Sequence, residues 1–277
     1  MQKWMANFFL AAGAVAMVSG AGSNWAWAQQ TPAAQVTVQE SAPIPPAQIP
    51  QNIKDAVNAP DRSEADKKLD AGRQPEQMLA FFGIRPGMKV ADLFAAGGYT
   101  TELLSRAVGP TGVVYSQNPS FPPEFQQIEQ AWKDRLKNPV LKNVTAVTKG
   151  FDADDLLPVP PGSLDAVLMN MNYHDLVLRG VDRDKVNAAV YKALKAGGEY
   201  AIVDHSAKDG SGTKDIELHR IDENFLINEV QKSGFKLVAR SSALRHPDDD
   251  RTWVTSPRVV GERRGTSDRF MLKFTKP

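Results

Sequence analysis

The residues best suited to chemistry stand at the ends of apolar runs. Leu164 to Met171 is short and mostly apolar, as a buried strand is, and it leads through Asn170 into Tyr173, His174 and Asp175. An imidazole with its ordinary pKa of about 6.5 can take a proton from a hydroxyl or thiol. The neighbouring carboxylate of Asp175 could orient that ring or act in its own right. A second run, Tyr200 to Asp204, ends in Asp204-His205, and His219 follows it on the next helical stretch. Two His-Asp pairs on one rim also admit a metal site using His174, Asp175, Asp204 and His205, although their spacing matches no recognised ligand motif. The plainer alternative for Tyr173-His174-Asp175 is a hydrogen-bonded loop.

The element that must position these groups is Met88 to Asn118. Lys89 to Phe94 reads as a strand that runs into Gly97-Gly98, where the chain can turn tightly and a ligand can approach. From Tyr99 the period changes to that of a helix, with Leu103, Leu104, Ala107 and Val108 on one side, closed by Gly109-Pro110. The first amides of that helix point over the glycine turn, at the carboxyl edge of the strand where doubly wound sheets bind nucleotide-like ligands.

The rest of the chain alternates in the same way. A helical stretch from Asp61 to Gly83 carries Leu69, Met78, Leu79, Phe81 and Phe82 and breaks near Gly72 to Pro75. Phe125, Ile128, Trp132 and Leu136 share one helical face. Asn143 to Thr148 is a strand, and Asp182 to Ala196 and Lys214 to Ser233 are helices. Phe235 to Arg240 and Arg269 to Phe274 are strands with no helix between them, so the last should run antiparallel. The expected fold is α/β: a doubly wound, mostly parallel seven-stranded sheet with helices on both faces. The insert at residues 242–267 reads either as a lid or as a charged, solvated loop.

Composition narrows the classes. The 277 residues are 42% hydrophobic and 23% charged, enough for one core. Lys and Arg number 33 against 32 Asp and Glu, a balance that makes no case for nucleic acid or acidic membranes. With no cysteine there are no disulfides, thiolate ligands or thiol nucleophiles. Lys3, the apolar run Phe8 to Val18 and Ala26-Trp27-Ala28 read as a signal peptide over residues 1–28, cut after Ala28, which implies a periplasmic or secreted protein. Residues 29–60, rich in Pro, Gln and Ala, read as a tether, and residues 61–277 as a single domain. No Walker loop, nucleophile elbow or glycosidase carboxylate pair is present.

The segments from Pro75 to Arg240 resemble class I S-adenosylmethionine-dependent methyltransferases. VADLFAAGGYTTELL looks like the first motif of that family, GFDADDL like its adenine-contacting segment and MNMNYHDL like its acceptor-positioning motif. The chain is also similar to a group of predicted exported methyltransferases through DAGRQPEQMLAFFGIRPGMKVADLF, LSRAVGPTGVVYSQNP, NMNYHDL and TSDRFMLKFTKP. The resemblance implies S-adenosylmethionine as cofactor, held by Asp92, Ala95, Gly97, Gly98, Tyr99, Asn118, Asp152, Ala153 and Asn170, with Tyr173, His174 and Asp175 beside the reactive methyl.

Two departures stand out. Of the three alternating glycines in the family's first motif, the first is Phe94 here and the second Ala96, and only Gly98 is kept. The acidic residue expected at the end of the second strand is Asn118, whose amide bonds a ribose hydroxyl without the strength of a carboxylate. The expected pose is a nucleoside across Gly98, Asn118 and Asp152 with its reactive carbon facing His174. A binding protein without transfer activity, or a metal-dependent lyase or hydrolase, are the alternatives.

Overall fold

The computed structural model describes residues 37–277. The expected signal peptide and its cleavage point lie outside the described residues, as does the start of the tether. No helix among the described residues is long and apolar enough to cross a membrane.

The chain runs β1 (Gln39–Ser41), α1 (Gln51–Val57), α2 (Glu64–Arg73), α3 (Pro75–Phe81), β2 (Lys89–Leu93), α4 (Tyr99–Val108), β3 (Val113–Asn118), α5 (Gln126–Arg135) and β4 (Val144–Thr148). It continues through β5 (Leu164–Asn170), α6 (Tyr173–Leu178), α7 (Arg183–Ala193), β6 (Leu194–His205), α8 (Glu223–Lys232), β7 (Lys236–Ser241) and β8 (Arg269–Thr275). These strands form one sheet in the order β1-β7-β8-β6-β5-β2-β3-β4, parallel except for β8, which pairs antiparallel with β6 and β7. The antiparallel last strand is as expected.

Side chains on the central strands alternate between two cores. Val167, Met169, Tyr200 and Ile202 pack under α6, α7 and α8, while Leu168, Ala201, Val203 and Met271 face α1, α3 and α4. Buried on both faces, these strands are apolar throughout, which is why they read as continuous runs. The order reverses between β2 and β5, so the connections that leave their carboxyl ends run in opposite directions and leave a crevice, the topological switch point of an open α/β sheet.

Two expectations change. The sheet has eight strands rather than seven, because β1 adds in parallel to β7 at the edge. Of the expected tether, residues 37–60 are built into the domain. Ile49, Ile53, Ala56 and Val57 are buried against α3 and α4, and the Gln77 amide exchanges two hydrogen bonds with the Ile44 backbone (2.7 and 2.8 Å). The prolines that disguise the helix in the sequence lie before it, with Pro50 at the N-cap, where a missing N–H costs nothing.

Candidate functional site

A cavity of about 620 Å³ lies over the carboxyl ends of β2 and β5, at the switch point. Its floor is the loop after β2. Phe94, Ala96 and Gly98 all have positive φ (57°, 49° and 83°), so the backbone keeps the left-handed conformations that alternating glycines would adopt freely. For Phe94 and Ala96 that conformation costs of order 1–3 kcal/mol each. The rest of the fold must hold them there, and it does. The Gln117 amide accepts from the Phe94 N–H (3.1 Å), Asn172 donates to the Phe94 carbonyl (2.9 Å), and Asn118 bonds both polar groups of Ala96 (2.8 and 3.1 Å).

That network corrects the role expected of Asn118. Both ends of its amide are engaged by Ala96, and it does not line the cavity. Gly97 and Gly98 also face away. The Gly97 carbonyl accepts from Arg135 Nε (2.7 Å), and a Cβ on Gly98 would lie 2.5 Å from the Trp132 ring. Gly98 permits the close approach of helix α5. Asp152 is exposed and, like Ala153, lies off the cavity wall, while their neighbour Phe151 packs edge-on against Phe94 at 5.2 Å. Tyr173 is buried in the core, where its hydroxyl donates to Glu229 (3.3 Å) and accepts from Asn187 (3.0 Å). It cannot reach a ligand in the cavity. Of the expected pose, Gly98, Asn118 and Asp152 lie off the cavity and only His174 lines it.

Asp92, Ala95, Tyr99, Asn170, His174 and Asp175 do line the cavity. Asp92 is fully buried and accepts from Thr101 Oγ1 (2.6 Å); burial drives its carboxyl up to about 7, against the pull of that hydrogen bond. Asn170 donates to Thr100 Oγ1 (3.1 Å). Tyr99 donates to Asp70 (2.6 Å) and carries the Arg73 guanidinium 4.3 Å over its ring.

The most organised chemistry surrounds His174. Its Nδ1 lies 2.6 Å from Asp204 Oδ1, and its backbone N–H donates to Asp204 Oδ2 (2.8 Å). Asp204 is completely buried. Burial alone would lower the His174 pKa, but the charge and hydrogen bond of Asp204 outweigh it and raise the ring above its ordinary value. The Nε2 edge turns to the cavity and meets His219 Nδ1 at 3.3 Å. Burial, then the charge of His174, holds His219 below its ordinary value. Asp175 Oδ1 stands 3.8 Å from His174 Nε2 and 3.6 Å from His219 Nδ1.

His174, Asp175 and His219 are thus the group that could hold a cation. The metal alternative read from the sequence joined Asp204 and His205, not His219, to His174 and Asp175. Asp204 is occupied behind the ring, and His205 turns to Ser267 (2.8 Å). His219 is presented from a left-handed backbone position (φ 54°), with its carbonyl accepting from Thr255 Oγ1 (2.7 Å).

The insert between β7 and β8 closes the cavity, with Trp253, Thr255, Arg258, Arg263 and Arg264 among its walls. Gly72 at the end of α2 and Gly265 of the insert meet backbone to backbone; a Cβ on Gly72 would stand 2.8 Å from the Gly265 Cα. Phe125 and Ile128, read with Trp132 as one helical face, line the cavity. The arginines of the wall carried no signal in the sequence beyond a charged insert.

No family model matches the chain. The crystal structure of an S-adenosylmethionine-dependent methyltransferase from Aquifex aeolicus superimposes with a TM-score of 0.55, covering 77% of this chain and 97% of that one at 18% identity. The fold is that of the class I S-adenosylmethionine-dependent methyltransferases. Geranyl diphosphate C-methyltransferase from Streptomyces coelicolor, solved with Mg2+, geranyl diphosphate and S-adenosylhomocysteine, shares this methyltransferase fold with a TM-score of 0.54, 15% identity, and coverage of 80% of this chain and 89% of its own. In sequence, the Escherichia coli ubiquinone/menaquinone biosynthesis C-methyltransferase UbiE is 28% identical over 125 residues, 45% of this chain and 45% of that protein. The match therefore spans about half the length of that methyltransferase.

Proposed function

We propose that this protein is an S-adenosylmethionine-dependent methyltransferase of a small-molecule acceptor, with His174 as the group that takes the acceptor's proton. The observation that carries the reading is the buried Asp204–His174 pair, 2.6 Å apart, opening at Nε2 into a cavity floored by the loop after β2. Its likeness in fold to methyltransferases and in sequence to UbiE supports the same reading.

The wall fits the amino-acid half of that cofactor. Asp92 would offer a buried carboxylate to its ammonium, and Thr100, Asn170, Ala95 and the left-handed Ala96 line the cavity beside it. On the nucleoside half the expected Asn118 and Asp152 are replaced by the apolar faces of Phe94, Phe121 and Phe125. The bound cofactor supplies a methyl group on a sulfonium, open to in-line displacement. For that displacement the chain must hold the acceptor in line, exclude water and receive a proton. The insert and the aromatic walls exclude water. Asp204 holds the His174 ring by Nδ1, so that the deprotonated Nε2 can receive the proton and share it with His219.

Calorimetry of the purified protein with S-adenosylhomocysteine tests the cofactor, and transfer of a radiolabelled methyl to an extract of small molecules tests the reaction. Absence of binding at millimolar ligand, or label transfer equal in His174→Ala, would end the reading. Export is part of the proposal, resting on Lys3, Phe8 to Val18 and Ala26-Trp27-Ala28, and fractionation of cells carrying the full chain checks it.

One observation favours a second reading, in which a cation assists the transfer. His174 Nε2, His219 Nδ1 and Asp175 Oδ1 form a nearly equilateral triangle of 3.3, 3.6 and 3.8 Å. Tetrahedral ligands with bonds of about 2.1 Å stand about 3.4 Å apart, and Asp204 behind His174 is the partner such a ligand ring uses. Elemental analysis of the purified protein, with His219→Ala alongside, decides it; fully active protein without a stoichiometric metal would exclude it.

A further inference from the structure

The chain is nearly neutral, but its cavity is not. Among the described residues most arginines pair with a carboxylate, as Arg62, Arg106, Arg135 and Arg183 do. Of those that form no such pair, Arg85 lies elsewhere, and Arg73, Arg179, Arg258, Arg263, Arg264 and Arg269 line the cavity, facing only Asp92 and Asp175 among its carboxylates. Charges that repel one another along one wall without counter-ions are costly to hold, most of all where water is excluded.

Four of these guanidiniums lie over aromatic rings. Arg73 sits over Tyr99 at 4.3 Å, Arg179 over Phe94 at 5.1 Å, Arg258 over Phe125 at 4.0 Å and Arg263 over Trp253 at 5.4 Å. Stacking engages the face of a guanidinium and leaves its edge, where the N–H donors lie, open to a planar or tetrahedral oxyanion. Arg269 is only 1% exposed and is tied to the carbonyls of Gly72 (2.6 Å), Gly265 (2.9 Å) and Ser267 (3.1 Å). It fixes a positive charge at the junction where α2 meets the insert. Burial and then Arg73 push its pKa down to about 10, and Arg73 is itself lowered by burial and by Arg264, so these three charges disturb one another.

We propose that the cavity is built for an anionic small molecule, its carboxylate or phosphate held among Arg73, Arg258, Arg263 and Arg264, with the buried charge of Arg269 behind them, and its apolar body against Phe94, Phe125 and Trp253. That this molecule is the methyl acceptor rests on the methyltransferase reading; the anion site itself does not.

The probes are phenyl phosphate and benzoate, titrated calorimetrically into the full protein at low and high salt, alone and with saturating S-adenosylhomocysteine. At least one of the two binds, weakens as salt rises, and still binds with the cofactor analogue present. Arg258→Gln and Arg263→Gln, both exposed at the cavity mouth, each weaken it by about tenfold or more while thermal unfolding is unchanged. The proposal is overturned if neither probe binds at about 10 mM, if both substitutions leave binding intact, or if the analogue abolishes it, which would assign the arginines to the cofactor's own carboxylate. Failure of the analogue to bind, with the probes still bound, sinks the methyltransferase reading and leaves the anion site standing.

Discussion

Asp204 grips His174 at two points, its Oδ1 2.6 Å from the ring Nδ1 and its Oδ2 accepting the backbone N–H at 2.8 Å. One carboxylate at the end of β6 thereby fixes both where α6 begins and how the His174 ring is turned. It accepts the His205 N–H as well, so no orientation of the group is left free.

Replacing Asp204 with Asn keeps the shape and removes the charge. The His174 pKa, held up by that charge against burial, then falls. A general base works deprotonated, so activity rises with pH through the His174 pKa, and Asp204→Asn moves that limb to lower pH. It also lowers kcat by roughly 100-fold or more through loss of the oriented ring. A pH–rate profile that keeps the same acid limb would show that His174 is not the titrating group.

Asp92 carries a sign that can be measured without substrate. Its carboxyl titrates at about 7 when folded and at about 3.9 when unfolded. Between these values the folded state keeps a proton that the unfolded state has lost, so the contribution of Asp92 to stability falls as pH rises from about 4 to 7. Asn cannot titrate. Urea unfolding should show Asp92→Asn gaining on the parent protein across that window; a difference independent of pH would place Asp92 among ordinary carboxylates.

The loop after β2 makes opposite predictions two residues apart. Gly98→Ala needs a positive φ and places a methyl 2.5 Å from Trp132, so it costs about 2–4 kcal/mol. Ala96→Gly relieves a strained φ of 49° and offsets the usual entropic loss, leaving stability unchanged or higher by up to about 1 kcal/mol. Denaturant midpoints of the two variants check both signs.

Ile53 tests whether the segment before residue 61 belongs to the domain. It is fully buried beneath α4, and Ile53→Ala should cost about 2–5 kcal/mol. A side chain on a tether would cost nothing, and thermal unfolding distinguishes the two.

Much of the fold was readable from local pattern. The run Lys89 to Leu93, the glycine turn and the face of Leu103, Leu104 and Ala107 each announce their own structure. The break between α2 and α3 falls within the expected stretch, at Gln74, in a left-handed conformation before Pro75. Helix α1 was hidden because prolines crowd the residues before it and it is only seven residues long. The site was readable in part. His174 and Asp175 were named from their place at a strand end, whereas Tyr173, one residue away, points into the core because successive helical positions are turned by about 100°. Asn118 and Asp152 were assigned by resemblance, and their roles depend on where neighbouring loops run.

The succession of strands and helices along the chain and the turn after β2 follow from hydrophobic period and glycine placement, which act over a few neighbouring positions. The order of the strands in the sheet, the pairing of His174 with Asp204 and His219, 30 and 45 residues away, and the gathering of unpaired arginines from the ends of α2 and α6, the final insert and the start of β8 were decided by tertiary structure alone. Charge and hydrogen-bond partners meet through space, and no local pattern records which distant side chains the folded backbone will bring within 3 Å of one another.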